Sequence, residues 1–265
     1  MLRPTIFATL YRARRIWVIP SVHGELNRLL KLQSEIQNNF IWGDRIIFLG
    51  NIIGHGHQVR ETLEALMAFR RNILGRRNMF THDFVILRGS QEEMWQKLME
   101  LQFAVSPTEV LDWMLGQGIE STLQAYNSSA EEAKAAIRQG PMAITHWTSE
   151  IRKTFRAAGH QEWLSSLKHA AYTQEGSILF VSRGINTERP IDAQADVFWW
   201  GANSFDSIKR PYWGFKKVVR GFDPNARGLV ETNYTISLDA GSGRKGPLLA
   251  ACLSNVGEIL KIFEA

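Results

Sequence analysis

The chain has 265 residues, one cysteine, and 31 Lys and Arg against 26 Asp and Glu, for a formal charge of +5 and a pI near 9.4. That length buries a large core without covalent staples, and a lone cysteine excludes an intrachain disulfide, which fits a reducing, cytoplasmic setting. No apolar run approaches the roughly 20 residues of a membrane-spanning helix. The basic balance permits acidic protein, anionic lipid or nucleic acid as a partner, but no zinc-finger, RNA-recognition or basic-zipper pattern selects nucleic acid.

Residues 1–14 carry arginines and no acid. They read as a short solvated arm ahead of the first strand, with an organelle-targeting or surface-binding arm as the alternative. Residues 16–19 (IWVI) form an apolar run that Pro20 to Gly24 interrupt before Leu26, Leu29 and Leu30 take up helical spacing. The pattern repeats at residues 46–49 (IIFL), closed by Gly50 and Asn51 and followed by Val59, Leu63, Leu66 and Met67. It repeats again at residues 84–87 (FVIL), ahead of Met94, Leu98 and Leu101. Successive strand-loop-helix units predict an α/β domain with neighbouring parallel strands and its ligand site in the loops at the strand ends.

Residues 106–168 read as a run of helices, opened by the start signal of Pro107 and Thr108. Within it, residues 128–139 (SSAEEAKAAIRQ) carry a serine followed by glutamates, a helix N-terminal signature. From residue 170 onward strands are predicted at 177–182, 217–219, 235–238 and 248–253, parted by glycine-bearing turns such as 240–246. No repeat or low-complexity linker divides the chain, so residues 1–265 read as a single domain. Cys252, in the apolar run LLAACL, reads as a buried core thiol.

The turns after these strands carry a specific pattern. PSVHG, GNIIGHG, RGSQE, FVSRG and RGFDP occur in that order, with WMLGQGIESTLQAY between the third and fourth and ISLDAGSGRKGPLLAACL at the end. The series resembles the calcineurin-like metallophosphoesterases, in particular the bacterial serine/threonine phosphatase and symmetrical diadenosine tetraphosphatase branch. That branch has G-D-x-H-G, G-D-x-V-D-R-G, R-G-N-H-E, a strand ending in histidine, and G-H-T-P. The resemblance covers nearly the whole chain and implies a sandwich of two mainly mixed β-sheets flanked by helices. It also implies that residues 106–168 form a helical cap insertion over one side of the cleft.

Carried over by that resemblance, the first metal's aspartate falls at Ser21 and its histidine at His23, the bridging aspartate at Asn51 and the asparagine ligand at Ser90. The two late histidines fall at Ser182 and Phe222, so only His23 keeps its residue. The histidine that protonates the leaving group falls at Gln91, an amide that cannot act as a general acid. Arg88 keeps a phosphate-gripping arginine, whereas His55 and Gly201 stand where two others would be. Two divalent cations about 3.5 to 4 Å apart need anionic oxygen to bridge them. Neutral Ser21 and Asn51 supply none, so neither metal nor other cofactor is expected and no catalytic residue is assigned.

Arg183 and Arg220 join Arg88 as candidate anion-binding residues, able to hold a phosphate bidentately without metal. The competing reading has them fill the vacated site and pair with Glu92, Asp223 or Asp239. His55 and His57 read as a loop pair without a carboxylate to complete a metal site. His82, His146, His160 and His169 show no usable constellation. Phe198, Trp199, Trp200, Tyr212, Trp213 and Phe215 read mainly as core, with any exposed share available for docking. The arginine and lysine clusters at residues 12–15, 70–77 and 209–217 read as solubilising faces first and docking patches second.

The expected function is that of a catalytically inactive phosphatase homologue, a scaffold or regulatory subunit that binds a protein partner. The alternatives are a metal-independent sensor of a phosphate or nucleotide ligand in the arginine-lined cleft, and a residual phosphoester hydrolase.

Overall fold

The computed structural model describes residues 6–201 and 205–265. The first strand, β1 (Phe7–Leu10), precedes three strand-helix units: β2 (Arg15–Ile19) with α1 (Leu26–Asn39), β3 (Asp44–Phe48) with α2 (Val59–Leu74), and β4 (Phe84–Ile86) with α3 (Ser90–Leu98). The cap follows as α4 (Pro107–Gly116), α5 (Glu120–Ala125), α6 (Ala130–Gln139), α7 (Pro141–Ala157) and α8 (His160–Ser166). The second half contains β5 (Ala170–Thr173), β6 (Ile178–Val181), α9 (Val197–Trp200), β7 (Lys217–Arg220), β8 (Val230–Glu231), β9 (Thr235–Ser237), β10 (Leu249–Ser254) and β11 (Ile259–Glu264).

The strands form two mixed sheets, one in the order β11-β10-β2-β3-β4 and the other β1-β5-β6-β7-β9-β8. β2, β3 and β4 run parallel, as the three repeated units predict. Period-two alternation explains why their sequences are apolar throughout. Ile16, Val18 and Ile47 face the opposite sheet, where they meet Phe180, Val219 and Ile236. Their neighbours Trp17, Ile19, Ile46 and Phe48 face the helical layer. A strand buried on both faces has no solvent face to mark with polar residues. β6 behaves alike, with Leu179 and Val181 packed against Phe198 and Trp199 on its outer face.

Two expectations are corrected. The opening residues are not a solvated lead-in as far as residue 14: Phe7, Ala8 and Leu10 are buried, because β1 pairs in parallel with β5. The reading of residues 1–5 as an arm lies outside the described residues. The chain also continues past the strand expected at 248–253 into β11, whose alternation in ILKIFE pairs it antiparallel to β10. The helix predicted over residues 128–139 is α6, with Ser129 Oγ accepting from the Glu132 backbone N–H at 3.2 Å. Cys252 is buried in β10, and burial pushes its thiol up to about 11. Among the described residues no helix is long and apolar enough to cross a membrane.

Candidate functional site

The predicted site residues converge where the strands of both sheets end. Ser21 and His23 follow β2, Asn51 follows β3, Ser90 and Gln91 open α3, Ser182 follows β6 and Phe222 follows β7. The Ser21 N–H donates to the Gly221 carbonyl at 3.0 Å, joining the loops of the two sheets. His23, Asn51 and His55 hold left-handed backbones with φ of 55°, 52° and 51°, a region that side-chain-bearing residues seldom occupy. The surrounding hydrogen bonds hold it there: the Asn51 carbonyl accepts from the N–H groups of Val22 at 3.0 Å and His23 at 2.8 Å.

One carboxylate anchors this arrangement. Glu92 is fully buried, and its Oε2 accepts from the N–H groups of Asn51 and Gly89, both at 2.8 Å. Its Oε1 accepts from Ile52 at 2.7 Å and Ile53 at 3.4 Å. Burial raises its pKa, while the four amide donors pull it back toward ionisation. The expected arginine partnership at Glu92 is therefore not formed, because amides take both oxygens.

At the positions that the resemblance assigns to metal ligands, the side chains satisfy one another. Ser90 Oγ donates to Asn51 Oδ1 at 3.2 Å, and Asn51 Nδ2 donates to Ser21 Oγ at 3.1 Å. Ser21 Oγ in turn donates to the Gly221 carbonyl at 2.9 Å. The relay is neutral from end to end. Gln91 turns its amide aside, donating from Nε2 to the Gln117 carbonyl in the cap at 2.7 Å. Gly54, at φ +89°, makes room for it, since a Cβ there would sit 2.3 Å from Gln91 Oε1.

Beyond the relay the site turns cationic and aromatic. The Phe222 ring lies 5.3 Å from the Arg183 guanidinium carbon and 4.7 Å from that of Arg244, and it packs edge-on against His23. His23 also packs edge-on against His55, with centroids 4.8 Å apart, so His55 belongs to this cluster rather than to a free loop pair with His57. Arg244 is paired with Asp239 at 2.6 Å; sequence reading missed it, and its signal was a charge inside the glycine-rich turn 240–246.

The three candidate anion-binding arginines have different fates. Arg88 donates to Glu93 at 2.8 Å and Gln96 at 2.7 Å. Arg220 donates to Ser237 Oγ at 3.0 Å and bridges Asp223 at 3.0 Å and Asp206 at 3.5 Å. Arg183 has no carboxylate within ion-pair distance among the described residues, and burial, with Arg220 and Arg244 nearby, lowers its pKa.

The donor set does not fit a pair of divalent cations. The ligand positions offer one imidazole, the Ser21 and Ser90 hydroxyls and the Asn51 amide engaged with each other, the separate Ser182 hydroxyl and a phenyl ring, beside two guanidinium groups that would repel a metal. Among the described residues His23 Nε2, Gln91 Oε1 and Ser182 Oγ find no hydrogen-bond partner, but all are neutral. Among the described residues no group of three or more His, Cys, Asp or Glu is arranged to hold a metal ion.

Burial, then His55 and Arg244, holds the His23 pKa well below its ordinary value, and burial and Arg244 lower that of His55. The unfolded chain therefore binds these protons more readily, so stability is fully present above the ordinary histidine pKa of about 6.5 and is lost as pH falls below it. Melting curves from pH 7 to pH 5 are expected to show a falling midpoint. His23→Asn, which suits the left-handed backbone, is expected to flatten that fall; an unchanged pH slope would count against the assignment.

No family model matches the sequence and no curated protein matches it significantly. Solved structures do match. A candidate diadenosine tetraphosphatase aligns over 98% of this chain and 97% of its own at TM-score 0.56 and 15% identity. A cold-active protein tyrosine phosphatase aligns over 100% and 81% at TM-score 0.53 and 14% identity. A protein serine/threonine phosphatase from Saccharomyces cerevisiae aligns over 98% and 84% at TM-score 0.54 and 13% identity. The chain has the fold of the calcineurin-like metallophosphoesterases.

Proposed function

We propose that the chain is a catalytically inactive phosphatase homologue that serves as a scaffold or regulatory subunit for a protein partner. The observation that supports this most is the neutral relay from Ser90 through Asn51 and Ser21 to Gly221, which completes its own hydrogen bonding at the ligand positions. Without a metal pair there is no bridging hydroxide, and water with a pKa of about 15.7 is a poor nucleophile. Gln91 is not a general acid, and its amide is turned toward the cap. The same reading places the chain in the cytoplasm, where a lone buried thiol needs no oxidising compartment.

Elemental analysis of the natively purified chain is expected to find no stoichiometric metal. Manganese-supplemented assays on p-nitrophenyl phosphate and diadenosine tetraphosphate should give no turnover above buffer. The triple variant Ser21→Asp, Asn51→Asp, Gln91→His is expected to take up metal weakly at best, because Phe222, Arg183 and Arg244 remain. Two manganese, iron or zinc ions at full occupancy in the native protein, or turnover abolished by His23→Ala, would overturn the proposal.

Arg183 favours a second reading, a metal-independent sensor of a phosphate or nucleotide, since its guanidinium lies over the Phe222 ring with no carboxylate at ion-pair distance among the described residues. A thermal-shift panel of nucleotides and phosphopeptides decides it: stabilisation that disappears in Arg183→Ala supports the sensor, and no response at millimolar ligand removes it.

A further inference from the structure

Away from the cleft, β1 is an end strand of its sheet, and a slot of about 520 Å³ is lined by β1 and by β4, whose outer side is bridged by Lys168, with Phe7 and Thr9 on one wall and Phe84 and Ile86 on the other. The Ile6 and Leu10 carbonyls accept from the His169 and Gln174 N–H groups toward β5. By strand alternation the backbone groups of Phe7 and Thr9 point the opposite way, along the free edge. A second cavity, of about 730 Å³, shares Tyr11 and His82 with the first and is walled by Arg12, Arg14, Trp42 and Phe80.

No Asp or Glu lines either cavity. Asp83, next to His82, is engaged by Arg45 at 2.8 Å. Arg12 and Arg14 have no carboxylate within ion-pair distance among the described residues, and the Arg14 guanidinium lies over the Trp42 ring at 5.1 Å. Trp42 and Phe80 are 68% and 60% exposed, large apolar surfaces beside unpaired positive charge.

The geometry points to a docking groove for an extended acidic segment of a partner protein, which adds to the free edge of β1 and lays its carboxylates on Arg12 and Arg14. This deepens the scaffold reading, on which it rests, by naming the surface and the chemistry of the partner. Charge complementarity calls for an anion, and the sheet edge calls for a polypeptide. Alternating N–H and C=O groups match the two-residue repeat of another strand, whereas a nucleotide backbone offers no amide hydrogens to pair with them.

The test is fluorescence anisotropy on the full chain with a labelled peptide of alternating glutamate and isoleucine. Three controls accompany it: the same peptide N-methylated at alternate amides, its lysine-for-glutamate counterpart, and a single-stranded oligonucleotide. The acidic peptide is expected to bind saturably, and N-methylation, lysine substitution, Arg14→Glu and Thr9→Pro should each weaken binding by about tenfold or more. Thr9→Pro removes an outward N–H from an edge strand, where proline is tolerated. If that variant does not fold, the N-methylated peptide on the unaltered chain decides the same point. No saturable binding, equal or tighter binding of the oligonucleotide, edge-to-edge dimers of the chain on sizing, or native affinity in a folded Arg14→Glu variant would each overturn the groove. The same preparation is assayed for phosphoester hydrolysis. Turnover would remove the scaffold reading, whereas an inactive chain that ignores the peptide would remove the groove alone.

Discussion

Glu92→Ala is expected to lower the unfolding free energy by about 4 kcal/mol, because it strands several buried N–H groups whose individual desolvation cost is about 1–3 kcal/mol. The donors come from Gly89, Asn51, Ile52 and Ile53, so one truncation loosens the turn after β3 and the start of α3 together. The adjacent relay cannot substitute, since the Asn51 side chain is already committed to Ser21, Ser90 and the Gln91 N–H. Glu92→Gln is expected to cost less, about 2 kcal/mol, by keeping one acceptor oxygen while setting an amide NH₂ against N–H donors. Urea unfolding of the three proteins checks the order; a Glu92→Ala variant as stable as the parent would show that the loops are held by other means.

Asp44→Ala is expected to cost about 3–4 kcal/mol, the lower part of the range of about 3–5 kcal/mol for removing one partner of a buried ion pair, because Arg15 is partly exposed. Asp44 is fully buried at the start of β3. It receives Arg15 bidentately at 2.9 and 2.7 Å, the Trp17 indole N–H at 2.8 Å and the Ile41 N–H at 3.0 Å. Two adjacent strands and the turn between α1 and β3 thus depend on one carboxylate. Asp44→Asn is expected to fall between the two, because it retains one oxygen but breaks the fork-to-fork pairing. Urea midpoints that fall in the order parent, Asp44→Asn, Asp44→Ala check this, and equal midpoints would show that the carboxylate is not needed.

Asp44 is not conspicuous in the sequence, and Glu92, although it closes RGSQE, gives no sign there that its partners are backbone amides rather than an arginine. IWVI, IIFL and FVIL were legible as strands because burial on both faces leaves an uninterrupted apolar run. FATL in β1 is broken by Thr9 and followed by a basic stretch, and its burial depends on β5, more than a hundred residues away in the chain and invisible to any local pattern. β8 is only two residues long, too short to carry a period. The site shows the same division. The loops that bring Ser21, His23, Asn51, Ser90, Gln91, Ser182 and Phe222 together follow from strand-turn-helix order. The ends of the arginines do not: Arg220 to Asp223 is a near neighbour that sequence can suggest, whereas Asp206 and Ser237 reach it only through the fold.

The neutral relay across the strand ends has one further consequence. If the chain is metal-free as proposed, the shape of this relay needs no imported ion, and metal starvation would leave this face of the molecule as it was. EDTA should then leave the melting midpoint where it stands, and a partner that read these loops would meet the same contour in iron-poor and iron-replete conditions.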